Sequence, residues 1–103
     1  MGQVSVIAKR LKQARLRAGL SQKGLGIKAG IDAFTASARI NQYERDKHRP
    51  DFETAERLAH ALAVPPPFLY AKSDELAAWI LAFDQVKSTL RQAVLKEANP
   101  TSV

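Results

Sequence analysis

From Val4 onward, Val4, Ile7, Leu11 and Ala14 recur at steps of three and four residues, with Lys9, Arg10, Lys12, Gln13 and Arg17 between them. That period predicts an amphipathic helix over residues 4–18, ended by Gly19. Ser21 stands where an N-cap hydroxyl accepts from the free amides of the next turn, so a short second helix is expected over residues 22–29, stopped at Gly30. Gly24 and Gly26 inside it cost ~1 kcal/mol each relative to alanine, unless close packing requires a missing side chain. Residues 31–36 read as loop, residues 37–44 resume helical spacing through Ile40 and Tyr43, and residues 46–50 form a polar turn.

Pro50 followed by Asp51 is a stop and a start: proline disfavours helix in the residue before it, and aspartate caps the next helix. Phe52, Ala55, Leu58, Ala59 and Leu62 then share one face. Pro65, Pro66 and Pro67 break that helix, and Phe68, Leu69 and Tyr70 suit one short turn packed back on the core. Ser73 is another cap, with Asp74 and Glu75 in the favourable first turn. A long helix is predicted from there to about Ala98, carrying the stripe Leu76, Trp79, Ile80, Phe83, Val86, Leu90 and Val94. No segment alternates with a period of two. The predicted class is all-α, a bundle of five or six helices.

Length and charge refine this picture. A chain of 103 residues, 46% apolar and 25% charged, has the balance of one folded domain with a modest core and no deep substrate cleft. Cysteine is absent, which removes a disulfide framework, a thiol nucleophile and a cysteine-bound zinc together. No stretch approaches the roughly 18 apolar residues of a membrane span, and residues 1–5 lead into a charged segment without a signal-type apolar block. The expected address is the cytoplasm, with no membrane. The net charge of +6 is uneven. Residues 1–50 hold eleven Lys and Arg against three Asp and Glu, or +8, whereas residues 51–103 hold five against seven, or −2. The basic half suits either a polyanionic partner or a set of solvated helix faces.

The order Gly19-Leu20-Ser21-Gln22, Leu25, Gly30, Ile40, Tyr43-Glu44, Pro50 and Leu58-Ala59 with Leu62 resembles the helix-turn-helix domain of the phage-repressor (XRE) family, over roughly residues 5–70. The resemblance implies a lambda-repressor-like fold, with a DNA-binding domain over residues 1–72 and a C-terminal helix over residues 73–103 that covers the core or forms oligomers. It also implies double-stranded DNA as partner, with the second motif helix in the major groove. On that basis Ser37, Ala38 and Gln42 are base-reading candidates, matching the glutamine–adenine and methyl–methyl pairings of the groove. Arg39 and Asn41 flank them. Gln22 and the basic turn of Lys47, His48 and Arg49 are placed on phosphates, positioning the protein without choosing sequence. Arg15 and Glu44 match a structural ion pair linking the first helix to the reading helix.

One departure stands out: about four residues more than the family pattern separate Gly30 from Ile40. The reading is a lengthened turn, anchored on the core by Phe34, which brings Thr35 within reach of DNA as well. Gly26 falls where the family has alanine to let two helices cross closely.

Elsewhere the residues point to no chemistry. Lys9, Arg10 and Lys12 read as a solvated face, with Arg10 a candidate for phosphate contact. His48 and His60 do not make a metal site, and His60 is expected at the surface. Ser21 is a cap and not a nucleophile. No cofactor and no enzymatic centre are expected. The stripe Leu76, Trp79, Ile80, Phe83, Val86 and Leu90 either covers the core or forms a two-fold homodimer interface. The function expected is a sequence-specific transcriptional regulator, most simply a dimeric repressor. The alternative is an antitoxin or other regulator whose last helix binds a second protein.

Overall fold

The computed structural model describes residues 4–99, so the leader reading at residues 1–3 falls outside it. Ser5 opens the first helix, its Oγ accepting from the Ala8 amide, and α1 runs Val6–Arg17 with Ile7, Ala8, Leu11 and Ala14 turned inward. Gly19 follows at φ +71, a left-handed turn that glycine adopts without steric cost. Ser21 caps α2 (Gln22–Lys28) through the Gly24 amide, and Asp51 caps α4 (Phe52–Leu62) through the Thr54 amide, each at 2.8 Å. Between them lies α3, Ala33–Glu44. The prolines end the helical run as expected, and the 3-10 turn Pro66–Tyr70 buries Phe68 and Leu69. Ser73 caps α5 (Asp74–Ala82), and α6 spans Ser88–Ala98. Six α-helices and no strand occur among the described residues. Leu11, Leu25, Ile40, Leu58 and Leu69 form the fully buried centre of the core.

The structure corrects several expectations. Residues 31–36 are not a loop: the side chain of Asp32 accepts from the Phe34 amide, and α3 begins at Ala33. Four inserted residues are close to the 3.6 of one helical turn, so they extend the helix backward and leave Ile40 and Tyr43 in phase with the core. Phe34 accordingly does not anchor on the core; it is 98% exposed. Phe52 likewise lies outside the buried face of α4.

The single long C-terminal helix is also broken. After α5 the chain tightens into a 3-10 turn, Phe83–Gln85, and Val86 is extended at φ −94, ψ 132. Asp84, Val86, Ser88 and Thr89 are weak helix formers, and no core behind them compensates. Arg91 donates to the freed carbonyls of Phe83 and Val86, which fixes the break.

Arg10 is corrected as well. It is 1% exposed and neither solvated nor free for phosphate. Its Nε donates to the Ala71 carbonyl at 2.8 Å, Nη1 to Gln13 at 2.9 Å, and Nη2 lies 3.0 Å from the Asp74 carboxylate. The guanidinium also sits 5.7 Å from the centre of the Phe68 ring. Asp74 is thereby held below its ordinary pKa, chiefly by the Arg10 hydrogen bond. These bonds join α1 to the root of α5. Beyond that root only Ala77 of α5 is buried, and α6 buries no residue. The radius of gyration is 15.6 Å, against about 13 Å for a compact chain of this length, because the C-terminal helices form an arm. No helix among the described residues is long and apolar enough to cross a membrane.

Candidate nucleic-acid interface

The pairing of α2 with α3 is set by two small residues. A Cβ built on Gly26 would lie 2.7 Å from the Ala36 Cβ and 3.0 Å from its Cα, closer than side-chain carbons approach. Glycine is therefore required where the helices cross, which accounts for its presence inside α2. Arg57 of α4 donates to the Ala29 carbonyl at 3.2 Å and holds the end of α2.

A hydrogen-bonded network locks α3 from its inner side. Arg15 Nε lies 2.5 Å from Glu44 Oε2, Nη2 lies 3.1 Å from Oε1, and Nη1 donates to the Leu20 carbonyl at 3.0 Å. Gln22 Nε2 donates to Glu44 Oε1 at 3.1 Å and to Asn41 Oδ1 at 3.2 Å. Glu44 is 7% exposed. With both oxygens occupied by donors, its carboxylate is placed to fasten three helices. The Arg15–Glu44 pair is thus present as predicted. Gln22 lies beside α3, but its amide donors turn inward, so it sets the α2–α3 geometry with the donors a phosphate would need.

The outer side of α3 is open. Thr35, Ser37, Ala38 and Arg39 are exposed, and Asn41 and Gln42 are half-buried. At 100° per residue, Phe34, Ala38 and Gln42 follow one another along the outermost line, with Asn41 beside it. Ser37 lies on the flank nearer α2. Arg39 lies on the other, where Arg39, Gln42, Tyr43, His48 and Arg49 line a shallow polar pocket of about 350 Å³. Thr35 donates its hydroxyl to the Asp32 carbonyl at 3.3 Å.

The basic turn is held against the same helix. Asp46, at φ +60, accepts from the Ser5 amide at 3.1 Å, and Arg49 Nε lies 3.5 Å from its other oxygen. The Ser5 hydrogen bond leads the causes that keep the Asp46 carboxyl below its ordinary pKa of 3.8. The Lys47 and His48 amides both donate to the Gln42 carbonyl, so Lys47, His48 and Arg49 emerge next to the exposed side of α3. The fold therefore brings Thr35, Ser37, Ala38, Arg39, Asn41, Gln42, Lys47 and Arg49 to one surface. Phe34, absent from the predicted set, joins them. Reading Asp32 as an N-cap and four residues as a whole turn would have found it.

The arm carries a second, apolar surface. Trp79, Ile80, Phe83, Val86, Val94 and Leu95 line a groove of about 280 Å³, with the Arg91 guanidinium 4.5 Å from the Phe83 ring centre. Four of the six predicted interface residues thus come together. Leu76 and Leu90 are exposed outside the groove: Leu76 sits in the first turn of α5, and Leu90 follows the break, which turns α6 out of the phase that one continuous helix would have kept.

Comparison with known proteins fits this geometry. A family profile described as helix-turn-helix matches residues 11–69. The chain is 34% identical over 68 residues to the HTH-type transcriptional regulator ImmR of Bacillus subtilis (strain 168), covering 66% of this chain and 50% of that protein. It therefore spans about half the length of that relative. The crystal structure of the transcriptional regulator BswR superposes with a TM-score of 0.79 at 46% identity, over 89% of this chain and 91% of that one.

Proposed function

The chain belongs to the XRE, or phage-repressor, type of helix-turn-helix transcriptional regulators, and from that premise we propose that it is a dimeric repressor reading DNA in the major groove. The observation that carries the reading is the two-sidedness of α3. Ile40, Tyr43 and Glu44 fix one side in the core and the network, while Ser37, Ala38, Arg39 and Gln42 face outward beside the basic turn. A helix 10–12 Å across fits the groove, and these side chains suit adenine edges, thymine methyls and phosphates. Gln22 and Asn41 orient the motif across the seam between α2 and α3, and Arg39, Lys47 and Arg49 meet the backbone. The apolar groove of the arm supports a two-fold pairing, which would set two α3 helices about 34 Å apart on inverted half-sites of cytoplasmic DNA.

Binding-site selection on random duplexes tests this, followed by affinity measurement across salt concentrations. An inverted repeat is expected, with log affinity falling against log salt by about 0.9 per neutralised phosphate. No enriched sequence, or an affinity indifferent to salt, would overturn the proposal.

A further inference from the structure

We infer that Phe34 is a base-reading residue that packs against a thymine methyl at the outer end of each half-site, an inference that rests on α3 being the groove-reading helix. The inserted turn is rigid and not a loose loop: Asp32 caps it at the Phe34 amide, and Ala36 is seated against Gly26 in the crossing with α2. Rigid helix backbone therefore presents a phenyl ring that is 98% exposed, on the same outward line as Ala38 and Gln42. Aromatic rings of this size bury 150–250 Å² where they are used, so one held out in solvent on a fixed helix suits a surface that arrives later. In the major groove the apolar feature of a base edge is the thymine C5-methyl, and phenylalanine is one of the side chains that meets it. Lys23 stands beside Ala33 and Phe34, placing a cation where such a methyl is flanked by phosphates. One turn further along, the small side chain of Ala38 lets the helix axis approach the base edges, which a ring projecting at Phe34 needs in order to reach them.

The test uses the duplex obtained by selection, with each thymine replaced singly by deoxyuridine to delete only its methyl. The wild-type protein is expected to lose about fourfold in affinity at one thymine per half-site, the worth of one buried methyl-sized group. Phe34→Ala should bind the parent duplex correspondingly more weakly and be indifferent to that replacement, while Phe34→Leu keeps most of the sensitivity. Because the ring touches no core, the urea midpoint of Phe34→Ala should equal that of the wild type. Equal deoxyuridine sensitivity in wild type and Phe34→Ala, or no sensitive thymine at all, overturns the inference while leaving salt-dependent, sequence-selective binding by the wild type intact. Failure of the wild type to select any duplex overturns the DNA reading and this inference together.

Discussion

Residues 4–72 and the arm of α5 and α6 are built from the same helical period, yet they differ in how far their apolar stripes are buried. In the first region Ile7, Leu11, Leu25, Ile40, Leu58 and Leu69 all disappear into one core, and a charged pair is drawn in with them. In the second, Trp79, Phe83, Leu90, Val94 and Leu95 remain about half exposed, and the arm contributes Ala77, Ile80 and Leu81 to the body. A hydrophobic stripe states that a helix has an apolar side; it does not state whether the surface facing that side belongs to the same chain. Most of the body's stripes are answered within the body, Val4 and Phe52 excepted, and the arm's are mostly unanswered.

The contrast is broken most forcefully from inside the body. Glu44→Ala leaves Arg15 without its carboxylate and removes an acceptor of Gln22, so a loss of about 3–5 kcal/mol is expected in urea unfolding. A loss below about 1 kcal/mol would show that the network belongs with surface pairs and that the body is less closed than described. In the arm, Trp79→Ala combined with Phe83→Ala should leave the unfolding midpoint at low protein concentration within about 1 kcal/mol of wild type, since neither ring lies in the core. The same double variant should be monomeric by light scattering where the wild type is dimeric. A wild type that is monomeric even on selected DNA would mean that the arm's groove serves something other than self-association.

A finer comparison lies at the seam between the basic turn and α1. Asp46 has a lowered pKa, so its contribution is present above the ordinary value near 3.8 and is lost as pH falls through the depressed folded value. Asp46→Asn keeps a side chain that tolerates the positive φ and can still accept from Ser5, and removes only the charge. A small deficit in stability is expected at neutral pH, closing as the pH drops below about 3.8. A deficit that persists unchanged in acid would assign the role to backbone geometry instead.

Much of this was legible in the chain. The caps Ser21, Asp51 and Ser73, the stops at Gly19 and Gly30 and the Arg15–Glu44 pair are legible at their places, because each depends on chemistry within a few residues or on a motif spacing. What escaped depended on comparisons across the fold. Residues 31–36 carry no helical spacing of their own and suggest loop, whereas an insertion near one turn in length makes helix the smoother solution, and Gly26 leaves the space for it. Local spacing assigns Arg10 to solvent, as it does most cations on an amphipathic helix; its carbonyl partners at Ala71 and Lys72 lie more than sixty positions away. Trp79 to Val94 keep the spacing of one helix, and that stripe does not register that Val86 and its polar neighbours lack support.

The Arg10 cluster also has a mechanical meaning. By gripping Ala71, Lys72 and Asp74 at once, it acts as a bracket at the base of a lever, and it removes the swivel that a short connection between turn and helix would otherwise allow. If two arms meet, the angle fixed at that bracket is carried out to both α3 helices, so the calibration of the gap between them resides in a residue of α1 that faces neither DNA nor the partner chain.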